Sequence, residues 1–284
     1  KGVNTLGRYL LLDIGSGTLD MLYYDTDHDL HYKAVVRSPV RVLADDIRRT
    51  RGDLIVTGGE MGGGPVSQAI IERARTARVT MAASAAATIH HDRERVIRHG
   101  IRVVEGAEAE RMTSESGFRH IQTGDIQPDR LTMLVEAMGV PFEFDAVAIC
   151  AQDHGVAPPG VSHLDFRHQL FTAALAHQPA PQALIYASAE VPQSMNRLRT
   201  IARDAGCLPA DRVYVMDSGM AAILGASMDR LAAGKERILV LDIATSHTVG
   251  AALQKGRLCG FFEYHTTDIT VERLDQLLKA LPEG

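Results

Sequence analysis

The sequence predicts an α/β protein organised around two similar β-hairpins. The first observation is an apolar run that ends in Asp13 and passes through a turn of small residues into a second strand, over Leu10–Asp25. The second is a repeat of the same design over Ile238–Leu253, with Asp242 in the place of Asp13. The third is an alternation of strands and helical segments between the hairpins, which is typical of α/β proteins.

Composition limits the class of protein. With 284 residues, 45% of them hydrophobic, the chain can bury a full core in one large or two moderate domains. The net charge of −5 argues against nucleic acid as an obligatory partner. Cys150, Cys207 and Cys259 include no CxxC pair, so neither a disulfide framework nor a local metal or iron–sulfur site is expected. Without a signal pattern or an apolar run of membrane length, we expect a cytoplasmic protein with no membrane anchor.

The tip of the first hairpin, Gly15-Ser16-Gly17-Thr18, is suited to phosphate. Gly15 and Gly17 lack Cβ and let the backbone approach an anion, while Ser16, Thr18 and backbone N–H groups are donors. Asp13, at the carboxyl end of the strand, could hold a hydrated Mg²⁺ ion, because Mg²⁺ prefers carboxylate and water ligands. The alternative is an ordinary hairpin in which Asp13 caps the turn.

A glycine-rich loop, Gly58–Gly64, follows a strand predicted over Asp53–Thr57. Pro65 suits the first turn of a helix predicted over Val66–Ala77, whose N-terminal dipole would face the loop. The loop could therefore form a second anion or substrate wall. The alternative is a flexible connection to the helix.

The alternation of strands and helices continues after this loop and is lost in residues 106–129. His90 and His91 are adjacent in a helix predicted over Ala85–His99, so they lack the spacing of local metal chelators and indicate a solvated helix face. Residues 106–129 are polar and show no sustained period. This segment is predicted to be a long surface excursion or a boundary between lobes.

A second functional stretch follows the apolar strand Asp145–Cys150. Gln152, Asp153 and His154 come directly after this strand, where open α/β sheets bind their ligands. Asp153 or His154 could act as a general base toward a hydroxyl or water, and Gln152 could orient the base. The alternative is that Asp153 caps a turn and that His154 is a loop histidine with satisfied hydrogen bonds.

The last third of the chain contains a small-residue helix and the second hairpin. The helix, Met220–Ala226, permits close packing of two backbones and suits a crossing between lobes. The turn of the second hairpin contains Thr245, Ser246 and Thr248. Aligned by eye with one inserted residue, Thr248 takes the place of Thr18.

Three stretches together resemble a known superfamily. Asp13–Thr18 is similar to its first phosphate hairpin, and Gln193–Gly206 with the strand and helix that follow is similar to a helix, strand and connecting helix of the chaperones. Ala148–Gly155 is similar to the strand and Gln-x-His-Gly turn of carbohydrate kinases. The sequence thus resembles the ATPase superfamily of actin, the heat-shock chaperone ATPases and the sugar and acetate kinases.

A narrower resemblance is to an uncharacterised branch of this superfamily, labelled pyruvate formate-lyase-activating-like. It is carried by Met61–Val66, Gln152–Gly155 and Phe262–Thr266. Activating enzymes of that name use a CxxxCxxC cluster motif, which this sequence lacks.

The resemblance implies a two-lobed, actin-like (ribonuclease H-like) ATPase fold. The first lobe would comprise residues 1–235, with insertions at about 78–144 and the crossing helix, and the second, short lobe residues 236–284. ATP and Mg²⁺ are the implied cofactors. Asp13 and Asp242 would organise the metal, Asp153 would activate an acceptor, and the two turns would hold phosphate through Gly15, Ser16, Gly17, Thr18, Thr245, Ser246 and Thr248.

Two departures from the superfamily pattern matter. Ala244 stands where glycine is usual, and no Gly-Gly loop of the kind that holds adenosine follows the second hairpin. Either the chain is truncated, or another subunit completes the site as in a homodimer, or nucleotide is no longer bound.

Three functions remain open on the sequence. The first is phosphoryl transfer to a small-molecule acceptor, or ATP hydrolysis, because two facing hairpins supply positioning and charge neutralisation. The second is an ATP-dependent activator or assembly factor for a client enzyme, with lobe closure as a switch. The third is a binding module that retains the fold without catalysis.

Overall fold

A computed structural model describes residues 7–115, 117–158 and 160–281; the other residues of the two predicted lobes lie outside the described residues. Numbered in chain order, the strands are β1 Arg8–Ile14, β2 Thr18–Asp25, β3 Leu30–Arg37, β4 Asp53–Gly58, β5 Val79–Ala82, β6 Arg102–Val104, β7 Phe118–Thr123, β8 Ala146–Ala151, β9 Tyr186–Ala187, β10 Val213–Asp217, β11 Arg237–Ile243, β12 His247–Gln254 and β13 Arg257–His265. The helices are α1 Pro39–Arg49, α2 Pro65–Ala74, α3 Ala83–Ala86, α4 Arg93–Ile97, α5 Gly106–Met112, α6 Pro128–Ala137, α7 His163–Leu175, α8 Asn196–Asp204, α9 Ser218–Ser227 and α10 Val271–Ala280, and short 3₁₀ turns lie at Pro181–Leu184, Ser188–Glu190 and Ala205–Cys207. The chain is of the α/β class, with parallel and antiparallel sheets.

The first sheet has the strand order β3-β2-β1-β8-β10-β9. Strands β1, β8 and β10 are parallel, and the other strands pair antiparallel. In β1, Leu10, Leu12 and Ile14 are buried and alternate with exposed residues, as the two-residue period of a half-buried strand requires. The parallel strands end at one edge, where Asp13 lies in register with Cys150.

The second sheet, β6-β5-β4-β7, is parallel and has its own apolar core. Helices α1 and α2 pack together, and both contribute buried side chains to this core. The segment predicted as a surface excursion, residues 106–129, instead forms α5, the edge strand β7 and the start of α6. That prediction was wrong because β7 pairs with β4, more than 60 residues away, and its sequence FRHIQT has no local apolar period.

Strands β11, β12 and β13 form a third, antiparallel sheet. Val240, Val249 and Leu253 join the core of the first sheet, and Phe262 packs in a separate small cluster with residues of α10. The small-residue helix α9 contacts β8 and β10 on one side and β11 and β12 on the other. Helix α9 therefore connects the first and third sheets, whereas the division into two lobes stays a prediction.

One further local prediction was wrong. The helix predicted over Ala85–His99 is two short helices, α3 and α4, because Asp92 caps α4 by accepting a hydrogen bond from the Glu94 N–H and starts a new helix there. Strand β9 is preceded by a 3₁₀ turn at Pro181–Leu184. Among the described residues, no helix has the length and apolar character needed to cross a membrane.

Candidate functional site

A cavity of about 1160 Å³ is lined by residues that belong to or adjoin all three sheets. Ten of the twelve sequence-predicted site residues line it: Asp13, Gly15, Ser16, Gly17, Thr18, Gln152, His154, Asp242, Thr245 and Ser246. Asp153 and Thr248 do not. The volume exceeds the roughly 300–1,000 Å³ of a typical small-molecule site, so the cavity has room for a nucleotide and a second ligand.

The two hairpins correspond residue by residue without an insertion. Each has a four-residue turn between the last paired strand residues. The turn is closed by a 3.0 Å hydrogen bond from the Gly15 N–H to the Thr18 carbonyl in the first hairpin and from the Ala244 N–H to the His247 carbonyl in the second. His247 is therefore the counterpart of Thr18. The alignment by eye was wrong by one residue: Thr248 corresponds to a core position, is 1% exposed and lies 3.2 Å from the Thr266 hydroxyl.

The turn of the first hairpin is fixed by the start of α1. Ser38, the N-cap of α1, donates from its hydroxyl to the Gly15 carbonyl at 2.6 Å and from its N–H to the Gly17 carbonyl at 3.0 Å. Arg41 donates from Nε to the Ser16 carbonyl at 3.3 Å. Because the carbonyls of the turn are bound from the α1 side, the turn is held in one orientation at the cavity wall.

Carboxylates gather at this end of the cavity. The Asp13 side chain is open to the cavity, yet the surrounding protein displaces enough water to raise its pKa. A hydrogen bond from Cys150 lowers this pKa, whereas the nearby charges of Asp20, Asp242 and Asp217 raise it further. Burial also raises the pKa of Asp242. Both shifts reflect negative charge that water solvates incompletely, and a bound cation would relieve it.

In the part of the chain that the structure describes, no group of three or more His, Cys, Asp or Glu side chains is placed to ligate a metal ion. Mg²⁺ usually keeps several waters and takes only one or two carboxylates together with phosphate oxygens of the substrate. Asp13 and Asp242 are the residues that could hold such an ion.

Asp153 has a structural environment. It is 4% exposed, and its carboxylate accepts hydrogen bonds from the Gly155 N–H at 2.8 Å and from the Leu198 N–H, in the first turn of α8, at 2.9 Å. Burial raises the pKa of Asp153 to about 6 despite these bonds. The expectation that Asp153 meets an acceptor in the cavity is corrected, because the carboxylate faces the backbone of a turn and a helix end instead.

Histidines line much of the cavity. Ring centroids are separated by 6.3 Å between His91 and His163, 6.5 Å between His163 and His154, 5.5 Å between His154 and His247, and 4.4 Å between His247 and His265. Burial, with nearby positive charge, lowers the pKa of His154 to about 3 and that of His247 to about 4. Both rings are therefore neutral at pH 7, and Nδ1 of His154 and Nε2 of His247 are buried without a hydrogen-bond partner among the described residues.

Gln152 joins the cavity wall to a buried ion network. Its side-chain amide donates to Glu263 at 2.6 Å, and Glu263 also accepts from Nε of Arg167 at 2.7 Å. Arg167, 2% exposed, binds Asp217 through both terminal nitrogens and donates to the Asp153 carbonyl. Gln152 is therefore held by the third sheet, and its amide is already committed to a protein partner.

Glu60 and His91 also line the cavity; Glu60 was predicted there only as part of the Gly58–Gly64 loop, and His91 was assigned to a solvated helix face. Oε2 of Glu60 lies 3.0 Å from Nε2 of His91, and the Asn196 amide donates to the same oxygen. The hydrogen bond to Glu60 raises the pKa of His91, although burial opposes the shift. The two adjacent histidines gave no local signal in the sequence, because Glu60, the partner of His91, lies 31 residues away.

The glycine loop that carries Glu60 is closely packed, so the expectation of a flexible connection is not met. A Cβ on Gly58 would lie 2.1 Å from the Thr123 carbonyl oxygen, and one on Gly59 would lie 2.5 Å from the Thr200 methyl. A Cβ on Gly62 would lie 2.7 Å from the Val40 side chain. These glycines bring the loop against its neighbours, and residues 60–65 form a firm part of the cavity wall.

The fold and cavity define an α/β protein with a polar site between paired hairpins. The family model described as "Putative pyruvate format-lyase activating enzyme (DUF1786)" matches residues 61–284, and the chain belongs to this family. No curated protein matches the sequence.

Proposed function

We propose that the protein binds Mg²⁺ with the phosphates of ATP in the cavity and transfers or hydrolyses the terminal phosphoryl group, with a fold of the actin and sugar-kinase superfamily. The observation that carries the proposal is the convergence of two equivalent hairpin turns, each preceded by an aspartate, on one cavity. Phosphoryl transfer depends mainly on positioning and charge neutralisation.

Each part of the site has a role in this proposal. The turns Gly15–Thr18 and Ala244–His247 present backbone N–H and hydroxyl groups to phosphate oxygens. Asp13 and Asp242 hold hydrated Mg²⁺, which neutralises phosphate charge when it is bound. Burial raises the pKa of Asp13, and the nearby charges of Asp20, Asp242 and Asp217 raise it further, which supports a cation at this position.

Calorimetry with ATP, in the presence and absence of Mg²⁺, tests the proposal directly. We expect Mg²⁺-dependent binding, and in Asp13→Ala a loss of affinity of about tenfold or more, because a metal ligand is removed. Asp129→Asn, at an exposed position on α6, is the control and should bind as the parent does. Equal affinity of the parent and Asp13→Ala would reject the metal assignment, and no binding by the parent would reject the function.

A second candidate, an ATP-dependent activator of a client enzyme, is favoured by the family description and by one surface. The first sheet carries an apolar groove of about 360 Å³ whose lining includes Leu11, Val35 and Ile185, all exposed. Exposed apolar patches of this kind often bind protein partners. Tight Mg²⁺–ATP binding without turnover, with water or any small acceptor, would favour the activator.

A further inference from the structure

Of the two bases expected from the sequence, Asp153 is closed off from the cavity, and His154, whose pKa is lowered to about 3 by burial, has little affinity for a proton. Glu60 and His91 line the cavity and are joined through Oε2 and Nε2 at 3.0 Å. We propose that this pair is the general base that accepts the proton of an acceptor hydroxyl during phosphoryl transfer. The inference rests on the proposed function and adds to it a second-substrate site.

The pair is positioned by several separate segments. Glu60 lies in the closely packed loop after β4, His91 lies between α3 and α4, and Asn196 binds the Glu60 carboxylate from the first residue of α8. The side chains of His91 and Glu60 are 19% and 12% exposed. They are thus largely withdrawn from bulk water but remain in contact with the cavity, as a preorganised catalytic pair requires.

The charges around His91 favour a base that works near neutral pH. Glu60, through its hydrogen bond and charge, and Asp153, through its charge, raise the pKa of His91, while burial lowers it. The neighbouring rings are His90, on the same segment, and His163, at the start of α7. A base whose pKa lies close to the working pH combines availability with proton affinity.

The proton transfer follows from the hydrogen bond to Glu60. When the Nε2–H of His91 donates to Glu60, Nδ1 carries a lone pair, and no described residue forms a hydrogen bond with Nδ1. His91 takes the proton from the acceptor hydroxyl while the hydroxyl oxygen bonds to the terminal phosphorus. The bond from that phosphorus to the bridging oxygen breaks, and its electron pair leaves with the nucleoside diphosphate. Glu60 stabilises the imidazolium that forms.

The surrounding wall does not narrow the class of acceptor further. Ser67 and Thr88 line the cavity, but the Ser67 hydroxyl donates to the Thr88 carbonyl and the Thr88 hydroxyl accepts from the Met61 N–H, so both are engaged within the protein. His163 lines the cavity beside His91. The proposal therefore requires only an acceptor that brings a hydroxyl group to His91, with water as the minimal substitute.

Two measurements on the full chain test the proposal. By NMR, His91 of the parent should titrate above the ordinary value of 6.5, and Glu60→Gln should lower that pKa because it removes the charge and keeps a hydrogen-bond acceptor. In Mg²⁺–ATP hydrolysis with water as acceptor, His91→Gln should lower kcat by roughly 100-fold with KM for ATP little changed. Glu60→Gln should move the acidic limb of the rate profile to lower pH.

His99→Gln, at an exposed position in the same segment, is the matched control and should resemble the parent in both measurements. The proposal is overturned by a His91 pKa that Glu60→Gln leaves unchanged, by full activity of His91→Gln, or by a parent that binds Mg²⁺–ATP without hydrolysing it. Each of these leaves the calorimetric test of nucleotide binding intact. Absence of nucleotide binding would instead reject the proposed function itself.

Discussion

At the residue scale, the environment of Asp153 decides its role more than its place after a buried strand does. Both carboxylate oxygens accept backbone N–H bonds, one of them from the first turn of α8. A carboxylate at a helix N-terminus satisfies free N–H groups and interacts favourably with the helix dipole. Asp153 therefore stabilises the junction of β8 and α8, while His154 beside it faces the cavity.

The raised pKa of Asp153 predicts a specific pH dependence of stability. Because the folded-state pKa is about 6 against an ordinary value of 3.8, the native state binds the proton more tightly than the unfolded state between these values. The free energy of unfolding should thus fall as pH rises from about 4 to 6, by on the order of 3 kcal/mol from this group alone.

Asp153→Asn should remove that slope and, at neutral pH, cost about 1–3 kcal/mol, since an amide N–H would face a backbone donor. Urea unfolding of both proteins at several pH values measures the two effects. A parallel pH dependence in parent and variant would show that Asp153 does not titrate in this range.

The cavity histidines mark the limit of residue-level prediction. Gln152 and His154 were predicted at the site because they follow a strand, which is a local signal. His91 was assigned to a solvated helix face. Its hydrogen bond with Glu60, whose carboxylate is also bound by Asn196, joins segments that only the tertiary fold brings together. The adjacent positions of His90 and His91 in the sequence do not indicate these contacts.

At the element scale, the hairpins were predictable because a hairpin joins neighbours in sequence through a short turn of small residues. Strand β7 was not, because its partner is distant in sequence and it is a largely polar strand at the edge of a sheet. The exact register of the second hairpin was not predicted either, because one more or one fewer small residue in the turn leaves the alternation of apolar residues in the strands unchanged. In the observed register Thr248 lies inside the third sheet, between Ile243 on β11 and Tyr264 on β13, and its hydroxyl is 3.2 Å from that of Thr266.

The third sheet depends on close contact between β12 and β13. A Cβ on Gly250 would lie 2.4 Å from the Phe262 ring, whereas one on Gly225, inside α9, would meet nothing within 4 Å. Gly250→Ala should therefore destabilise the protein by about 1–3 kcal/mol through overpacking. Gly225→Ala should stabilise it by roughly 0.5–1 kcal/mol, because glycine is unfavourable in a helix.

Thermal and urea unfolding of the two glycine variants provide the comparison. The same substitution is made in both, so opposite signs would isolate the packing effect at Gly250. Equal effects would mean that the Phe262 ring moves aside without cost.

At the scale of the whole molecule, the turn after β8 connects the three sheets. The carbonyl of Gln152 accepts from Arg197, which pairs with Asp125 beyond β7, and the carbonyl of Asp153 accepts from Arg167, which pairs with Glu263 on β13. Two successive carbonyls beyond the end of β8 are thus bound by arginines whose partners lie beyond β7 of the second sheet and on β13 of the third. The polar residues that suggested an acceptor site serve largely to hold the cavity walls together.

This arrangement predicts that weakening the ion pair of one arginine opens only the segments that this arginine connects. Glu263→Gln removes a charge from the Arg167 network, and Asp125→Asn does the same to Arg197, in both cases as a carboxylate-to-amide change at a buried pair. Leaving a buried guanidinium partly uncompensated costs stability, and the cost should appear first as local opening of the segments each pair holds. Hydrogen exchange should therefore increase in β11–β13 for Glu263→Gln and in β4–β7 for Asp125→Asn. A uniform increase across the chain in both variants would mean that the three sheets open as one cooperative unit, and that the two arginines do not act as separate connections.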